Sequence, residues 1–540
     1  MNLSRFSPRT FKTSLLIVIV ASLAVNFTVI ENLSSPQQPD SYSYSFLVDE
    51  NGSAMVTIDY TSNKRFGSSW VIVPKFLELS NRTRYGKILN FNFSSTREEV
   101  DIEYYFYRVL TFSFQSDGYF EMIIKFNFTS AAMIIEPNGI FLSPQIGFNP
   151  DSIGRAEVIF PSNFDRGRAI AGSGYLPSFT NSNYVRFDNL RENTLRLEIQ
   201  FKVSDDQPDL LRVKDGIFTL KTASRYEKNA REILSFYNRT YYDLVNLFNT
   251  TLENVNAEFF IPDFEYLLSV GGYVPFTGEK VGNIHINIFY TRYVKGYVEV
   301  TALHELIHHF LWKTGLSPKD LLWFHEGMAQ YISIELAKNM VYEGASMMKQ
   351  ELEDTISQLD FRNNLGFLQR WTPSNQPKDW WTLYAAAYYA VTRLAEPYGG
   401  LEYYARFFKM LSGVSVEDNN KLAYYLSLAA NATVVPKLRL WGFNLADLYV
   451  YSDLIMEAEK SISRVNPIFQ PYKFFAEQLY RWALTNAEQN NEETVNISLL
   501  AVIIIAELSP LLTLVTVSAC LFAAIFYALK RKGLFSDQPL

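Results

Sequence analysis

Four residues of the chain, His304, Glu305, His308 and Glu326, have the types and spacing of a hydrolytic metal site. On a helix, positions i and i+4 lie one above the other with their Cβ atoms ~6 Å apart, so His304 and His308 can each point a ring nitrogen at one ion. Glu305 lies about 100° around the helix from His304, within reach of a water on that ion. The pattern predicts a zinc centre on a helix.

A catalytic zinc has three protein ligands and keeps a fourth position open, whereas a structural zinc has four. Glu326 is the best candidate for the third ligand, because it lies on the next predicted helix, only a short loop after the first. Two helices joined by so short a loop must pack, and Gly327 is predicted to let their backbones come close. We therefore expect one Zn²⁺ per chain, held by His304, His308 and Glu326.

Three nearby polar residues receive supporting roles. His309 and His325 each follow or precede a predicted ligand by one position, which turns them about 100° away from the metal. They are predicted to be supporting residues or surface groups. Gln330, one turn after Glu326, is a candidate to orient a metal ligand.

This pattern resembles the gluzincin metallopeptidases, the group that includes thermolysin and the membrane alanyl aminopeptidases. In that group a Glu on the helix after the two histidines completes the zinc site, which matches Glu326. The run from Trp323 to Tyr331 is similar to the Trp-Leu-x-Glu-Gly-x-Ala-x-Tyr segment of the aminopeptidases. Further on, Tyr384 with Leu394 and Gly399 resembles the segment in which those enzymes carry a tyrosine that stabilises the transition state.

The resemblance implies a zinc peptidase in which Glu305 is the general base and Tyr384 binds the oxyanion. It also implies a thermolysin-like α/β catalytic domain in which the strand just before the zinc helix pairs with the substrate backbone. His285 lies on that strand and is a candidate substrate contact. The aminopeptidases hold the substrate's amino terminus with an acid in a Gly-x-Met-Glu-Asn segment. Residues 271–276 stand in that place here without an acid, so the choice between endopeptidase and exopeptidase stays open.

Both ends of the chain carry signals for a membrane location. Basic residues precede an apolar run over residues 15–25, so residues 1–30 are predicted to be a signal peptide or signal anchor. Residues 497–532 are predicted to contain a transmembrane helix followed by Lys530, Arg531 and Lys532, which mark the cytoplasmic side and leave residues 533–540 as a cytoplasmic tail. The catalytic region is then extracellular and tethered to a lipid bilayer. Nine glycosylation sequons agree with this orientation, at Asn32, Asn51, Asn81, Asn92, Asn127, Asn238, Asn249, Asn431 and Asn496.

Apolar periodicity predicts an α+β multidomain chain. Residues 40–205 alternate apolar and polar side chains with turn signals between them, which is typical of an N-terminal β-sandwich. A polar break at residues 205–209 separates it from the catalytic domain, predicted over residues 206–340. Residues 341–495 have helical spacing and are predicted to form a helical domain that carries Tyr384.

Composition limits the alternatives. The net charge of −7 and the absence of a long basic run exclude a nucleic-acid partner, and the single cysteine, Cys520, excludes an intrachain disulfide. An intramembrane protease needs its motif inside an apolar span of ~20 residues, and Lys295, Glu299 and Lys313 bracket this one too closely. The remaining alternative to a peptidase of peptide or protein substrates is a cell-surface binding or adhesion protein with a structural or degenerate metal site. The oligomeric state stays open.

Overall fold

The structure is a computed structural model that describes residues 39–97, 105–147, 149, 151–203, 209–263, 266–277, 280–358, 364–488 and 491–531. The chain divides into two compact units, Met1–Asp209 and Leu210–Leu540. Strands and helices are both abundant, so the predicted α+β class is confirmed. The predicted signal at residues 1–30, most of the polar break and the tail at residues 533–540 lie outside the described residues.

The first unit is built of strands whose side chains alternate between buried and exposed positions. In β1, for example, Tyr42, Tyr44 and Phe46 are buried while their neighbours are more exposed, as the two-residue period of a strand requires. The strands are β1 Ser41–Val48, β2 Ala54–Ser62, β3 Phe66–Pro74, β4 Ser80–Tyr85, β5 Lys87–Ser94, β6 Tyr107–Gln115, β7 Phe120–Phe128, β8 Ala132–Ile135, β9 Asn138–Leu142, β10 Ile146–Gly147, β11 Ile153–Ile159, β12 Phe164–Ala171, β13 Phe179–Thr180, β14 Tyr184–Leu190, β15 Thr194–Leu195 and β16 Leu197–Val203.

These strands form several sheets around a shared core. A seven-stranded sheet has the order β13-β14-β11-β1-β2-β7-β4, a four-stranded sheet β12-β16-β9-β8 and a three-stranded sheet β3-β6-β5, with β10 and β15 paired separately. Side chains from all three larger sheets meet in one apolar cluster, which includes Tyr60, Phe112 and Phe201. Burial of this cluster is the main force that holds the unit together.

The second unit opens with a mixed five-stranded sheet in the order β17-β18-β19-β23-β20. β18, β19 and β23 run parallel, while β17 and β20 pair antiparallel at the two edges. β21 and β22 form a separate short hairpin. The bounds are β17 Leu210–Asp215, β18 Phe218–Ala223, β19 Val255–Phe260, β20 Gly272–Tyr273, β21 Phe276–Thr277, β22 Lys280–Val281 and β23 Ile284–Asn287.

Helices make up most of the rest of this unit. The helix α1 Glu227–Phe248 connects β18 to β19, and the helix α2 follows β23 through a short 3-10 turn. The remaining bounds are α2 Tyr297–Lys313, α3 Leu322–Asn339, α4 Glu343–Gln358, α5 Trp380–Ala395, α6 Leu401–Met410, α7 Asn419–Ala430, α8 Val435–Leu440, α9 Ser452–Arg464, α10 Gln470–Glu488, α11 Glu492–Glu507 and α12 Ser509–Arg531.

Among the described residues, α12 is the one helix long and apolar enough to cross a bilayer, judged by length and composition. Its most apolar window has a mean hydropathy of 2.2. Helix α11 precedes it after a single residue, Leu508, and ends at Glu507. The predicted apolar segment at residues 497–532 is therefore divided between two helices, and only the second has the length and composition of a span.

Candidate metal centre

The helix α2 is held in place from its first turn. Its N-cap, Gly296, has φ 98°, a value that favours glycine, and the side chain of Glu299 accepts a hydrogen bond from the Gly296 backbone N–H at 2.9 Å. The residues from Tyr297 to Phe310 are buried with the exception of His309. A helix buried on nearly all sides cannot rotate without breaking its packing, so the direction of its polar side chains is fixed.

His304, His308 and Glu326 come together where α2 faces α3. One potential ligand atom from each residue lies within 4.8 Å of the other two. Glu326 Oε2 is 3.1 Å from His304 Nε2 and 3.5 Å from His308 Nε2. Ligand atoms bound tetrahedrally at ~2.1 Å from one zinc ion lie roughly 3.4 Å apart, so the three side chains fit zinc.

The charges at this position also favour a cation. Burial alone would raise the pKa of Glu326, but the imidazoles of His308 and His304 hold that pKa well below its usual range. Burial opposes the charged form of His308, and the Glu326 carboxylate nevertheless raises the pKa of that imidazole. The group is thus an anion, largely shielded from solvent, next to two nitrogen donors, a donor set that suits Zn²⁺.

Glu305 lies beside this group on α2 and is almost fully buried. Burial raises the pKa of its carboxyl, while the neighbouring imidazoles of His304 and His308 lower it. The edge strand β20 passes directly over it: a Cβ atom added to Gly272 would lie 2.8 Å from Glu305 Cγ and 2.9 Å from Glu305 Oε1. Only glycine lets the strand come this close to the carboxylate.

Tyr384 reaches the same site from α5. Its ring centroid is 6.3 Å from that of His304, and its hydroxyl lies near enough to the Glu326 and Glu305 carboxylates for their charges to affect its pKa. Burial, followed by the negative charges of Glu326 and Glu305, raises the pKa of Tyr384 well above its usual value, so its hydroxyl keeps its proton. The structure therefore brings Tyr384 together with the other four predicted site residues.

The close approach at Gly327 is made by a different pair of helices from the predicted one. A Cβ atom at Gly327 would lie 2.7 Å from Ala387 O and 2.8 Å from Val391 Cγ2, both on α5. The prediction that Gly327 serves the contact between α2 and α3 is therefore wrong. Because α5 carries Tyr384, the glycine instead lets the helix with the tyrosine lie against the helix with Glu326.

Of the two roles left open for His325, a supporting residue or a surface group, the second is excluded, since its exposed fraction is 0%. Its Nε2 lies 3.1 Å from Leu316 O, and its Nδ1 lies 3.4 Å from His308 Nδ1. A carbonyl only accepts, so Nε2 of His325 carries the proton; burial, followed by the charge of His308, lowers the pKa of His325 to about 3 and keeps it neutral. Its Nδ1 therefore accepts from His308, which leaves His308 Nε2 free to bind metal.

The other two supporting residues lie near the site without joining it. His309 is largely buried, and burial, followed by the charge of His308, lowers its pKa to about 4. Gln330 lies half buried on α3, one turn after Glu326. Among the described residues, no hydrogen bond joins the Gln330 side chain to His304, His308 or Glu326.

The strand that precedes the zinc helix does not form the edge of the sheet. β23 lies between β19 and β20, and His285 on it pairs with Glu258, with 3.0 Å between His285 Nδ1 and Glu258 Oε1. The ring of Tyr273 on β20 stacks on His285 with centroids 4.3 Å apart. β23 is thus hydrogen-bonded to a strand on each side, so the implied pairing of this strand with a substrate backbone is wrong, and β20 is the outer strand beside Glu305.

Comparisons with known proteins give structural neighbours alone. No family model and no curated protein matches the chain. The chain is similar to a mutant M1 zinc metallopeptidase from Deinococcus radiodurans bound to a Tyr-Ser-Ala substrate, at 14% identity and a TM-score of 0.31 over 75% of this chain and 94% of that one. It is also similar to native leukotriene A4 hydrolase from Saccharomyces cerevisiae, at 13% identity and a TM-score of 0.31 over 79% and 72% of the two chains.

At this TM-score the geometry of the site, and not the likeness, supports the function that we propose for the chain.

Proposed function

We propose that the protein is a zinc metallopeptidase that hydrolyses peptide bonds, with one Zn²⁺ held by His304, His308 and Glu326. The observation that carries the proposal is the convergence of these three side chains, whose potential ligand atoms all lie within 4.8 Å of one another. Three protein ligands leave one position open, which distinguishes a catalytic zinc from a structural one. When bound, zinc supplies a Lewis acid that polarises the scissile carbonyl and acidifies water.

Glu305 is the general base in this proposal. Its carboxylate lies next to His304 on α2, on the side covered by the backbone of Gly272. The burial that raises its pKa makes it a stronger base than an exposed carboxylate. It removes a proton from the attacking water at a carboxylate oxygen and then delivers that proton to the nitrogen of the leaving amine.

Tyr384 stabilises the oxyanion that forms on the former carbonyl oxygen. Its hydroxyl is protonated, because burial and the charges of Glu326 and Glu305 raise its pKa, so it can donate a hydrogen bond. The ring of Tyr384 lies beside that of His304, with the centroids 6.3 Å apart, so the donor is close to the proposed ligands. A donor already fixed beside the ligands requires little further ordering.

We also propose that the enzyme is anchored to the membrane by α12 and acts outside the cell. The helix ends in Lys530 and Arg531, and basic residues at the end of a span favour the cytoplasmic side. The preceding part of the chain, including the metal centre, then lies on the extracellular side. The bilayer would in this case be a permanent partner of the C-terminal helix.

Hydrolysis of casein by the purified full-length chain in detergent tests the proposal. We expect cleavage that stops when a chelator removes zinc and returns when zinc is added back. Peptides with free and with blocked amino termini, compared in the same assay, decide between exopeptidase and endopeptidase. Bound zinc without cleavage of casein or of any peptide in the parent protein contradicts the peptidase and favours the binding or adhesion alternative.

A further inference from the structure

An exposed tryptophan lies beside the metal centre on the same helix as Tyr384. Trp380 is the first residue of α5, and Tyr384 follows one turn later, so both side chains lie on the same face of the helix. The ring centroids of Trp380 and Tyr384 are 6.2 Å apart, and Tyr384 in turn lies 6.3 Å from His304. The indole of Trp380 therefore contacts Tyr384, whose ring in turn contacts the predicted metal ligand His304.

The position of Trp380 is held from two directions. Asp379 caps α5, because its carboxylate accepts from Thr382 N at 2.9 Å and from Thr382 Oγ1 at 2.7 Å. The buried ring of Trp371 packs against both residues, with its centroid 6.4 Å from that of Trp380 and 5.4 Å from that of Tyr384. Three aromatic rings therefore pack together at the start of the helix.

Despite this packing, 52% of Trp380 remains exposed. An indole fixed on one side and open on the other offers an apolar surface that does not need to be ordered when a ligand arrives. Aromatic pairs are favourable at centroid distances of 4.5 to 7 Å, and apolar side chains gain by leaving water against such a surface. A peptide held at the metal would pass close to this surface.

We propose that Trp380 forms one wall of a substrate subsite for aromatic or large aliphatic side chains next to the cleaved bond. This inference rests on the proposed peptidase function and specifies its substrate class. The preferred substrates are then peptides with a residue such as Phe or Leu close to the scissile bond, and not peptides with small or acidic residues there.

The neighbouring residue provides a matched control. Trp381 is 51% exposed, nearly the same as Trp380, but it lies about 100° further around α5. In the part of the chain that the structure describes, ring contacts with Tyr384 are made by Trp380 and not by Trp381. Replacing either residue removes a similar exposed ring, and only one of the two rings lies beside the metal centre.

The experiment measures selectivity with the full-length, zinc-loaded protein. Quenched fluorescent peptides carry Phe, Leu, Ala or Asp in turn at each position around the bond, and kcat/KM is measured for each. We expect the parent to prefer Phe over Ala at one position by roughly 10-fold to 100-fold. Trp380→Ala should bring this ratio close to one, Trp380→Phe should restore most of it, and Trp381→Ala should keep both the ratio and the activity of the parent.

Two outcomes overturn the inference while leaving the peptidase intact: a Phe-to-Ala ratio in Trp380→Ala equal to that of the parent, or an equal loss of the ratio in Trp381→Ala. If the parent cleaves no peptide, the proposed function fails first. Binding of the Phe and Ala peptides to the zinc-loaded protein, monitored by tryptophan fluorescence, then tests the subsite. The inference is supported if the parent binds the Phe peptide more tightly than the Ala peptide and if Trp380→Ala, but not Trp381→Ala, loses this preference. Equal binding of the two peptides to the parent overturns the inference.

Discussion

Each of the two units holds a carboxylate that is largely shielded from solvent, and the surroundings of the two carboxylates differ. In the first unit, Asp40 is buried and accepts hydrogen bonds from Tyr60 at 2.9 Å, Ser62 at 2.7 Å and the Lys64 ammonium at 3.0 Å. In the second unit, the neighbours of Glu326 are the side chains of Tyr384, His304 and His308.

The difference separates a structural site from a functional one. Asp40 forms an ion pair with Lys64 at 3.0 Å, so its charge is balanced by its own unit. In the described part of the chain, the ion-pair partners of Glu326 are the imidazoles of His304 and His308, and a second acid, the buried Glu305, lies close by. Two neighbouring acids and two imidazoles are balanced best by a divalent cation, because imidazoles that bind metal stay neutral. A buried acid therefore indicates a metal when its partners are themselves potential ligands.

The largest expected effect comes from Glu305→Gln. The amide keeps the shape of the side chain but cannot accept a proton, so kcat should fall by roughly 100-fold to 10,000-fold while the zinc content stays that of the parent. Peptide hydrolysis and elemental analysis on the same sample check this. Parental kcat in the variant would remove Glu305 from the mechanism.

Tyr384→Phe should lower kcat by roughly 100-fold to 1,000-fold with little change in KM, because the lost hydrogen bond forms mainly in the transition state. Steady-state kinetics with one peptide measure both constants. Tyr388, one turn further on, is a buried packing residue, and Tyr388→Phe serves as the control with parental kcat. A change in KM alone for Tyr384→Phe contradicts the assigned role.

His325→Leu should weaken zinc binding by roughly 10-fold to 100-fold, because His308 loses the acceptor that orients its ring. Competition with a coloured chelator measures the affinity without relying on activity. His325→Asn, which retains an acceptor, should recover much of the loss, and His309→Gln should bind zinc as the parent does. Equal affinities for the Leu and Asn variants show that His325 does not act through its hydrogen bond.

Asp40→Asn tests the other half of the comparison and should have the smallest effect on the chemistry. We expect the free energy of unfolding of the first unit to fall by about 2 kcal/mol, because hydrogen bonds to a charged group are weakened. The loss should be the same with and without chelator, and kcat should not change. Urea denaturation with and without chelator measures this loss of unfolding free energy. A loss that depends on zinc would contradict a structural role for Asp40.

Much of the site is predictable because it depends on local geometry. The spacing of His304 and His308 on one helix face needs no tertiary information, and Glu326 follows from the short connection between two helices. Strand alternation likewise locates β1 and β2 on either side of the turn at Asn51, since burial on one face of a sheet enforces the two-residue period.

The errors concern features that depend on which surfaces meet. For His325, the turn of about 100° from Glu326 leaves both a supporting role and a surface position open; α3 is buried on nearly every side, so that turn leads to another packed surface. The apolar residues Trp323, Phe324 and Met328 around His325 are the signal that favours the buried alternative. The partner of Gly327 and the edge position of β20 depend on contacts between distant segments, which the spacing of residues does not report.

The zinc content of the purified full-length protein tests the central claim most directly. After dialysis against metal-free buffer, the parent should retain one zinc per chain, and Glu326→Ala should retain far less while its circular dichroism stays that of the parent. Glu326→Ala with as much zinc as the parent, or a folded parent that binds none when zinc is supplied, would contradict the assignment of His304, His308 and Glu326 as the ligands.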